Sequence, residues 1–418
     1  MIRKPKGTND ITPDQMGAWN YIRHTAADIA ARFGYGEIIT PIFEFTELFA
    51  RGMGEVTDVV QKEMYTFPDR EERSMTLRPE GTAGVVRAAI EGNLLANALP
   101  LKLFYIASCF RYERPQAGRS REFYQFGVEL FGSESPAADG EVITLVRTLL
   151  DELGIGATLH INSIGCPDCR PAYRQRLVEY FTAHIGEMCQ LCATRLEKNP
   201  LRLLDCKNAT CSALGDAAPK SVDYLCQPCE AHQGELEQLL SAVGVEYMVD
   251  TRIVRGLDYY TRTVFEFISS DIGAQSTICG GGRMNGLVKQ LGGAETPMVG
   301  FGVGISRLVL ALESAGKTPP TATNCDLYIA CMGKEAEVAA FVLIQGLRKA
   351  GVACDMDIMG RSVKSAMRHG DKLGAKYTMV LGETELAAGS ANLRHMSDGT
   401  NTQVTLSVEE IKKCLKMQ

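Results

Sequence analysis

The 418-residue chain reads as an α+β protein: an antiparallel sheet with flanking helices, a helical insertion, and a small α/β domain at the end. Three observations predict this. Strand patterns follow one another through the first third with loops between them and few parallel crossovers. Eight of the 14 cysteines crowd between Cys166 and Cys229, in a stretch of helical character. After the Pro- and Thr-rich segment "KTPPTATNC" (317–325), strand and helix patterns alternate. The expected domains are therefore 1–165 with 246–318, an insertion at 166–245, and a last domain at 325–418.

The elements follow in order. Residues 15–33 have amphipathic helical spacing and stop at Gly34-Tyr35-Gly36. "EIITPIFEF" (37–45) alternates and is β-branched, so it predicts a strand, placed at an edge or interface by Pro41. "MTLRPE" (75–80), "LKLFYIASCFRYE" (101–113) and "REFYQFGVELFG" (121–132) predict further strands, and residues 79–92 a turn leading into a helix. Beyond the linker come "DLYIACM", a helix at 334–350, "VACDMDI", a helix near 361–374 and "YTMVLG". Composition is ordinary for a globular protein, 45% hydrophobic and 22% charged. The start "MIRKPKGTNDITP" has no apolar core and no run of 18 apolar residues occurs, which argues against secretion and membrane spanning and for a cytoplasmic protein. With a net charge of −6, a nucleic-acid partner must be met by local basic patches.

Four segments carry candidate chemistry. In "CFRYERPQAGRSREFYQFGVE" (109–129), Arg111, Arg114, Arg119 and Arg121 surround a Pro-Gln-Ala-Gly loop. Guanidinium forks pair bidentately with phosphates, although four arginines on a hairpin also suit plain solvation. Gln125 and Glu129 share a strand face with Phe123 and Gly127, so polar groups point where an apolar row belongs. In "TLRPEGTAGVVRA" (76–88), Glu80 either caps a helix or anchors a ligand ammonium. "CGGGRMNGLVKQLGG" and "VGFGVGISRLVLAL" alternate glycines as a strand does and lead to Arg307. They match neither a Walker loop nor a Rossmann fingerprint and suit a base lying against a sheet. "VRGLDYYTRTVFEF" (254–267) places Arg255, Asp258, Tyr259, Tyr260 and Arg262 at the mouth of an apolar strand.

Three CxxC pairs, Cys166/Cys169, Cys189/Cys192 and Cys226/Cys229, lie in the insertion, with Cys206 and Cys211 between the last two. A reduced chain makes either a structural Zn²⁺ site or plain buried thiols the natural readings. The expected ligand set is Cys189, Cys192, Cys226 and Cys229, with Cys206 as a substitute.

Taken together, "RPEGTAGVVRA", "FRYERPQAGRSREFYQFGVELFG", "RGLDYYTRTVFEF", "CGGGR…GL" and "GRSVKSAMRHGDKLGA" resemble class II aminoacyl-tRNA synthetases, and most closely the histidyl-tRNA synthetase family. The segments occur in the family's order across nearly the whole chain. The resemblance implies a six-stranded antiparallel catalytic sheet, a C-terminal α/β anticodon-binding domain, and a homodimer, with Pro41 in a stretch like the class II interface motif. It implies ATP-dependent activation of L-histidine with Mg²⁺, and transfer to the 3′ end of tRNA(His). Arg255 and Arg111 would be catalytic, flanking the α-phosphate, with Arg111 also on the carboxylate. Glu80, Thr82 and Gln125 would hold the α-amino group, Glu129 the imidazole, and Tyr259 and Tyr260 would line the amino-acid pocket. Glu113, Arg119 and Arg307 would position the nucleotide. Where the family has a tyrosine after "GGGR", this chain has Met284, and where a glutamate is common before Arg307 it has Ser306. The same fold serves the histidine-sensing regulatory subunit of ATP phosphoribosyltransferase, which leaves a non-charging paralogue, or an enzyme of shifted amino-acid preference, as alternatives. In the last domain Arg361, Lys364, Arg368, Lys372 and Lys376 fall at i, i+3, i+7, i+11 and i+15, a basic stripe suited to RNA phosphates or simply to water.

Overall fold

A computed structural model of the chain describes residues 2–54, 57–255, 259–270, 272, 276–317 and 325–416. Asp258 and most of the 317–325 linker lie outside the described residues. The chain divides into two compact units, Met1–Pro319 and Pro320–Gln418.

In chain order the first unit contains strands β1 (Gly36–Glu37), β2 (Phe43–Phe45), β3 (Tyr65–Pro68), β4 (Ser74–Leu77), β5 (Leu101–Phe110), β6 (Glu122–Phe131), β7 (Thr158–Ser163), β8 (Tyr247–Val249), β9 (Thr261–Ile268), β10 (Thr277–Arg283) and β11 (Met298–Gly304). Its main sheet has eight strands in the order β1-β5-β6-β11-β10-β9-β7-β8. The expectation of six antiparallel strands is thereby corrected: the sheet is larger and mixed. The two further strands are short, lie at opposite edges, and pair in parallel, β1 with β5 and β8 with β7. The six between them are antiparallel throughout. The stretch 37–45 also departs from expectation, since it splits into β1 and β2 around Pro41. Proline offers no N–H to a ladder, and β2 joins β4 and β3 in a separate three-stranded sheet.

One face of the main sheet is covered by helices. Met16–Arg32 buries Ile22, Ala26, Ile29 and Ala30, spaced as one helical stripe. Pro136–Leu153 starts where the Ser135 side chain accepts from the Ala137 N–H and stops at Gly154 in the left-handed region, φ 64°. These two and Ile305–Ser314 enclose the largest apolar core with Phe126, Val128, Phe265, Phe267 and Phe301 of the sheet. The insertion is helical as expected: Arg170–Ala183, Gln190–Lys198, Ala209–Ala217 and Gln227–Ala242.

The expected cysteine quartet is not assembled. Cys166, Cys169, Cys226 and Cys229 form one group and Cys189, Cys192, Cys206 and Cys211 another. Spacing gives CxxC pairs but not which pairs meet. Here the first and third open helices that begin side by side, and the second is carried away to the Cys206–Cys211 loop.

In the second unit, β12 (Leu327–Cys331), β13 (Cys354–Met356), β14 (Tyr377–Leu381), β15 (Ser390–His395) and β16 (Asn401–Thr405) form a sheet in the order β13-β12-β14-β15-β16. The β12, β13 and β14 pairings are parallel, as the alternation predicts. The β15–β16 hairpin and the helix Val408–Lys416 were not foreseen.

Arg283, at the end of β10, has no exposed surface and is bound on every side. Its Nε donates to Asp139 Oδ2 at 2.8 Å, and Nη1 and Nη2 donate to the Ser133 and Ser135 carbonyls at 2.8 and 2.5 Å. His232 of the insertion lies on the same Asp139 oxygen at 3.2 Å. A sheet strand, a core helix and an insertion helix thus share one buried charge pair. Removing one partner leaves the other buried and unpaired. Asp139→Ala is expected to lower unfolding free energy by about 3–5 kcal/mol, measured by urea titration.

Candidate active site

The open face of the sheet is built on glycine. A Cβ on Gly280 would lie 2.3 Å from Arg255 Nη2, one on Gly300 2.2 Å from Glu129 Oε2, and one on Gly302 2.2 Å from Gln125 Nε2. The glycines of β10 and β11 therefore leave room for polar side chains of neighbouring segments to lie across the sheet. They frame a cleft of about 500 Å³ lined by Glu80, Thr82, Arg111, Glu113, Arg119, Phe123, Gln125, Arg255, Tyr259 and Tyr260, with Glu266, Met284, Ser306 and Arg307.

The inner end is carboxylate and phenol. Glu129 has no exposed surface, and neither carboxylate oxygen meets a hydrogen-bond partner in good geometry. Burial pushes its carboxyl well above the usual range; the Thr82 hydroxyl opposes that rise and the nearby Glu80 adds to it. A buried carboxyl without a hydrogen-bond partner in good geometry is the signature of a site for a polar ligand. Glu80 behaves as the capping reading predicts: its oxygens accept from the Thr82 and Ala83 N–H groups at 2.7 and 2.8 Å, at the start of helix Thr82–Glu91. It also lines the cleft, so both readings meet in one residue. The Gln125 carbonyl oxygen accepts from Tyr105 Oη at 3.2 Å and the Gly81 N–H at 3.3 Å, which fixes the amide. Tyr259 and Tyr260 are buried with ring centroids 4.8 Å apart, and burial raises both phenols. Met284, 1% exposed, packs with them.

The outer end is cationic. Arg111 donates to the Pro79 carbonyl at 2.8 Å and stacks over Phe123. Arg119 pairs with Glu113 at 2.8 Å. Arg307 donates to the carbonyls of Gly118 and Thr277. Burial, together with the neighbouring Arg119 and Arg111, holds the Arg307 guanidinium below its ordinary value. Glu113, 2.8 Å from Arg119 and 3.9 Å from Arg111, offsets part of this crowding. Arg255 pairs with Glu266 and lies against Tyr260, with its ring-to-cation distance 5.6 Å. Burial opposes its charge, but Glu266, Tyr260 and Tyr259 together outweigh that and hold it above the ordinary value.

Not every candidate joins the cleft. Arg114 is exposed, and Arg121 stacks on Tyr112 at 3.7 Å, outside the lining. Lys207 and Glu266 line the cleft and were not singled out in the sequence. Lys207 follows Cys206 directly, and Glu266 sits mid-strand among apolar residues, a pattern break like that of Gln125. In the second unit the helix spans Val363–Lys372 and ends there. Lys364, Arg368 and Lys372 are exposed along it. Arg361 precedes the helix and is held by Asp357 at 2.6 Å, and Lys376 follows it and pairs with Asp326 at 2.8 Å. The five-residue stripe is thereby shortened to three.

Residues 7–308 match the family described as histidyl-tRNA synthetase, and residues 326–418 match the anticodon binding domain. The chain belongs to the histidyl-tRNA synthetase family. The histidine–tRNA ligase of Desulforamulus reducens is 50% identical over 407 residues, covering 97% of each chain. That of Caldanaerobacter subterraneus is 49% identical over the full length of both. Among solved structures, the apo histidyl-tRNA synthetase of S. aureus superposes with a TM-score of 0.83 at 37% identity and 99% coverage of both chains. For this family member the burial of Glu129 has a thermodynamic consequence. Glu129 is protonated more readily folded than unfolded, so the stability it contributes is complete below the unfolded value and lost as pH rises towards the folded one. Glu129→Gln is expected to stabilise the ligand-free chain at neutral pH by on the order of 1 kcal/mol or more. The gain should shrink as pH falls towards about 4, the ordinary glutamate value, in urea melts across that range.

Proposed function

We infer that the chain activates L-histidine with ATP and passes the histidyl group to the 3′ end of tRNA(His). The observation that carries this is the division of one cleft into an unpartnered buried carboxylate with two phenols at one end and crowded guanidiniums at the other. The imidazole is read by Glu129 and a phenol of Tyr259 or Tyr260, because a polar pocket rejects apolar isosteres by leaving its own groups unpaired. Glu80, Thr82 and Gln125 hold the α-amino group. The histidine carboxylate then attacks the α-phosphorus of ATP in line, and pyrophosphate leaves. Arg111 and Arg255 flank that phosphate and stabilise its developing charge, while Glu113, Arg119 and Arg307 position the nucleotide. Mg²⁺ that arrives with ATP would find carboxylate oxygens at Glu113 and Glu266 and would offset charge on the pyrophosphate. In the second step a terminal ribose hydroxyl of tRNA takes the histidyl group from the adenylate.

The catalytic part is assigned to residues 1–165 and 246–318, and anticodon recognition to 325–418, where Lys364, Arg368 and Lys372 meet RNA phosphates. A cytoplasmic homodimer is proposed. It is supported by the exposed Ile39, Ile42, Phe43, Phe45 and Phe67 around Pro41, and among the described residues no helix is long and apolar enough to cross a membrane. The histidine-sensing alternative is not favoured, because the full-length relatives are ligases and an anticodon-binding region is present.

Amino-acid-dependent ATP–pyrophosphate exchange across all twenty amino acids tests the reading. Exchange with histidine alone is expected; none with any amino acid in a folded chain would refute it. Arg255→Ala should slow exchange by about 10²-fold or more, the scale of one lost charge-stabilising donor. Replacing Lys364, Arg368 and Lys372 by alanine should weaken tRNA binding and lower the slope of log affinity against log salt by about one per phosphate contact, measured by filter binding.

A further inference from the structure

We propose that the insertion carries two tetrathiolate zinc sites, one formed by Cys166, Cys169, Cys226 and Cys229 and the other by Cys189, Cys192, Cys206 and Cys211. Within each group all four sulfurs lie within 4.8 Å of one another. Cys166 Sγ is 3.7 Å from Cys169 Sγ and 3.7 Å from Cys226 Sγ, and Cys169 Sγ is 3.9 Å from Cys229 Sγ. In the second group Cys189 and Cys206 are 4.0 Å apart. A zinc–sulfur bond of about 2.3 Å gives a tetrahedral edge of about 3.8 Å, whereas a disulfide needs about 2.05 Å. The sulfurs are spaced for a shared ion and not for a covalent bond.

The local backbone supports the same reading. Cys169, Cys189 and Cys226 each stand immediately before a helix, and Cys192 and Cys229 lie in the first turn that follows. Backbone N–H groups at such ends favour thiolate over thiol. The Cys166 N–H donates to Cys169 Sγ at 3.3 Å and the Cys189 N–H to Cys211 Sγ at 3.2 Å. Packing gives an independent reason. The buried cluster where helices Arg170–Ala183 and Gln227–Ala242 begin consists of Cys166, Cys169 and Cys229, with only Leu225 and Cys226 partly buried against it. Among the described residues Leu225 is thus the one aliphatic side chain at that centre, so an ion joins the two helices where an apolar core does not. Four soft sulfurs in a tetrahedral group select Zn²⁺ over hard cations.

Metal analysis of the full chain, purified under reducing conditions without chelator, should give two zinc ions per chain. After demetallation, Co²⁺ should produce the visible bands of tetrahedral cobalt with thiolate-to-metal charge transfer. Cys166→Ser with Cys226→Ser should lower the content to one ion, as should Cys189→Ser with Cys206→Ser. Fewer than two ions in the unaltered chain, or cobalt uptake without thiolate charge transfer, would overturn the proposal without requiring any variant to fold. Iron at the sites would overturn the choice of zinc.

Discussion

Everything in the cleft depends on one face of the sheet being left empty. Strands β10 and β11 cross the middle of the sheet, where a side-chain-bearing residue would project into the space now used by Arg255, Gln125 and Glu129. The constraint differs from site to site. At Gly302 the nearest atoms all belong to the Gln125 side chain, which could move only by giving up its hydrogen bonds from Tyr105 and the Gly81 N–H. At Gly300 an added Cβ would also come within 2.4 Å of the Val128 carbonyl, so backbone as well as side chain would have to give. Gly281 faces the other way, against Phe265 and the Gly300 carbonyl, and serves the core and not the cleft. One glycine run thus satisfies two demands: close packing behind the sheet and open space in front of it.

That open space gathers like charges at each of its ends. Glu129 and Glu80 sit buried at the inner end, and Arg111, Arg119 and Arg307 repel one another at the outer end. The charge the chain leaves uncompensated is therefore a description of its ligand. Such crowding of like charge trades stability for function.

The parts legible in the sequence were those with local causes. Helix stripes, the glycine alternation and the polar positions of β6 each follow from residues close in the chain, and the guanidinium-rich hairpin was visible for the same reason. What was missed depends on distant partners. The edge strands β1 and β8 have two and three residues, too few to show a period, and exist because β5 and β7 offer free edges. Arg114 and Arg121 matched the same pattern as Arg111 and Arg119, yet Tyr112 holds Arg121 away from the cleft. Spacing alone could not tell a stacking arginine from a phosphate-facing one.

The cysteines show the same limit more sharply, and they bear on the cleft. Arg170, directly after Cys169, donates to the backbone carbonyls of Ile164, Gly165 and Tyr260, the last at 2.6 Å. Tyr260 lines the inner pocket. Lys207, directly after Cys206, reaches the cleft from the second sulfur group. Each group is therefore one residue away from a cation that meets the cleft or the backbone behind it. Two of the insertion's helices, Gln190–Lys198 and Ala209–Ala217, have nine residues each, below the length at which a helix is stable alone. Such helices hold their places only through what joins them. Arg170 and Lys207 thus link the two sulfur groups to the cleft through adjacent residues.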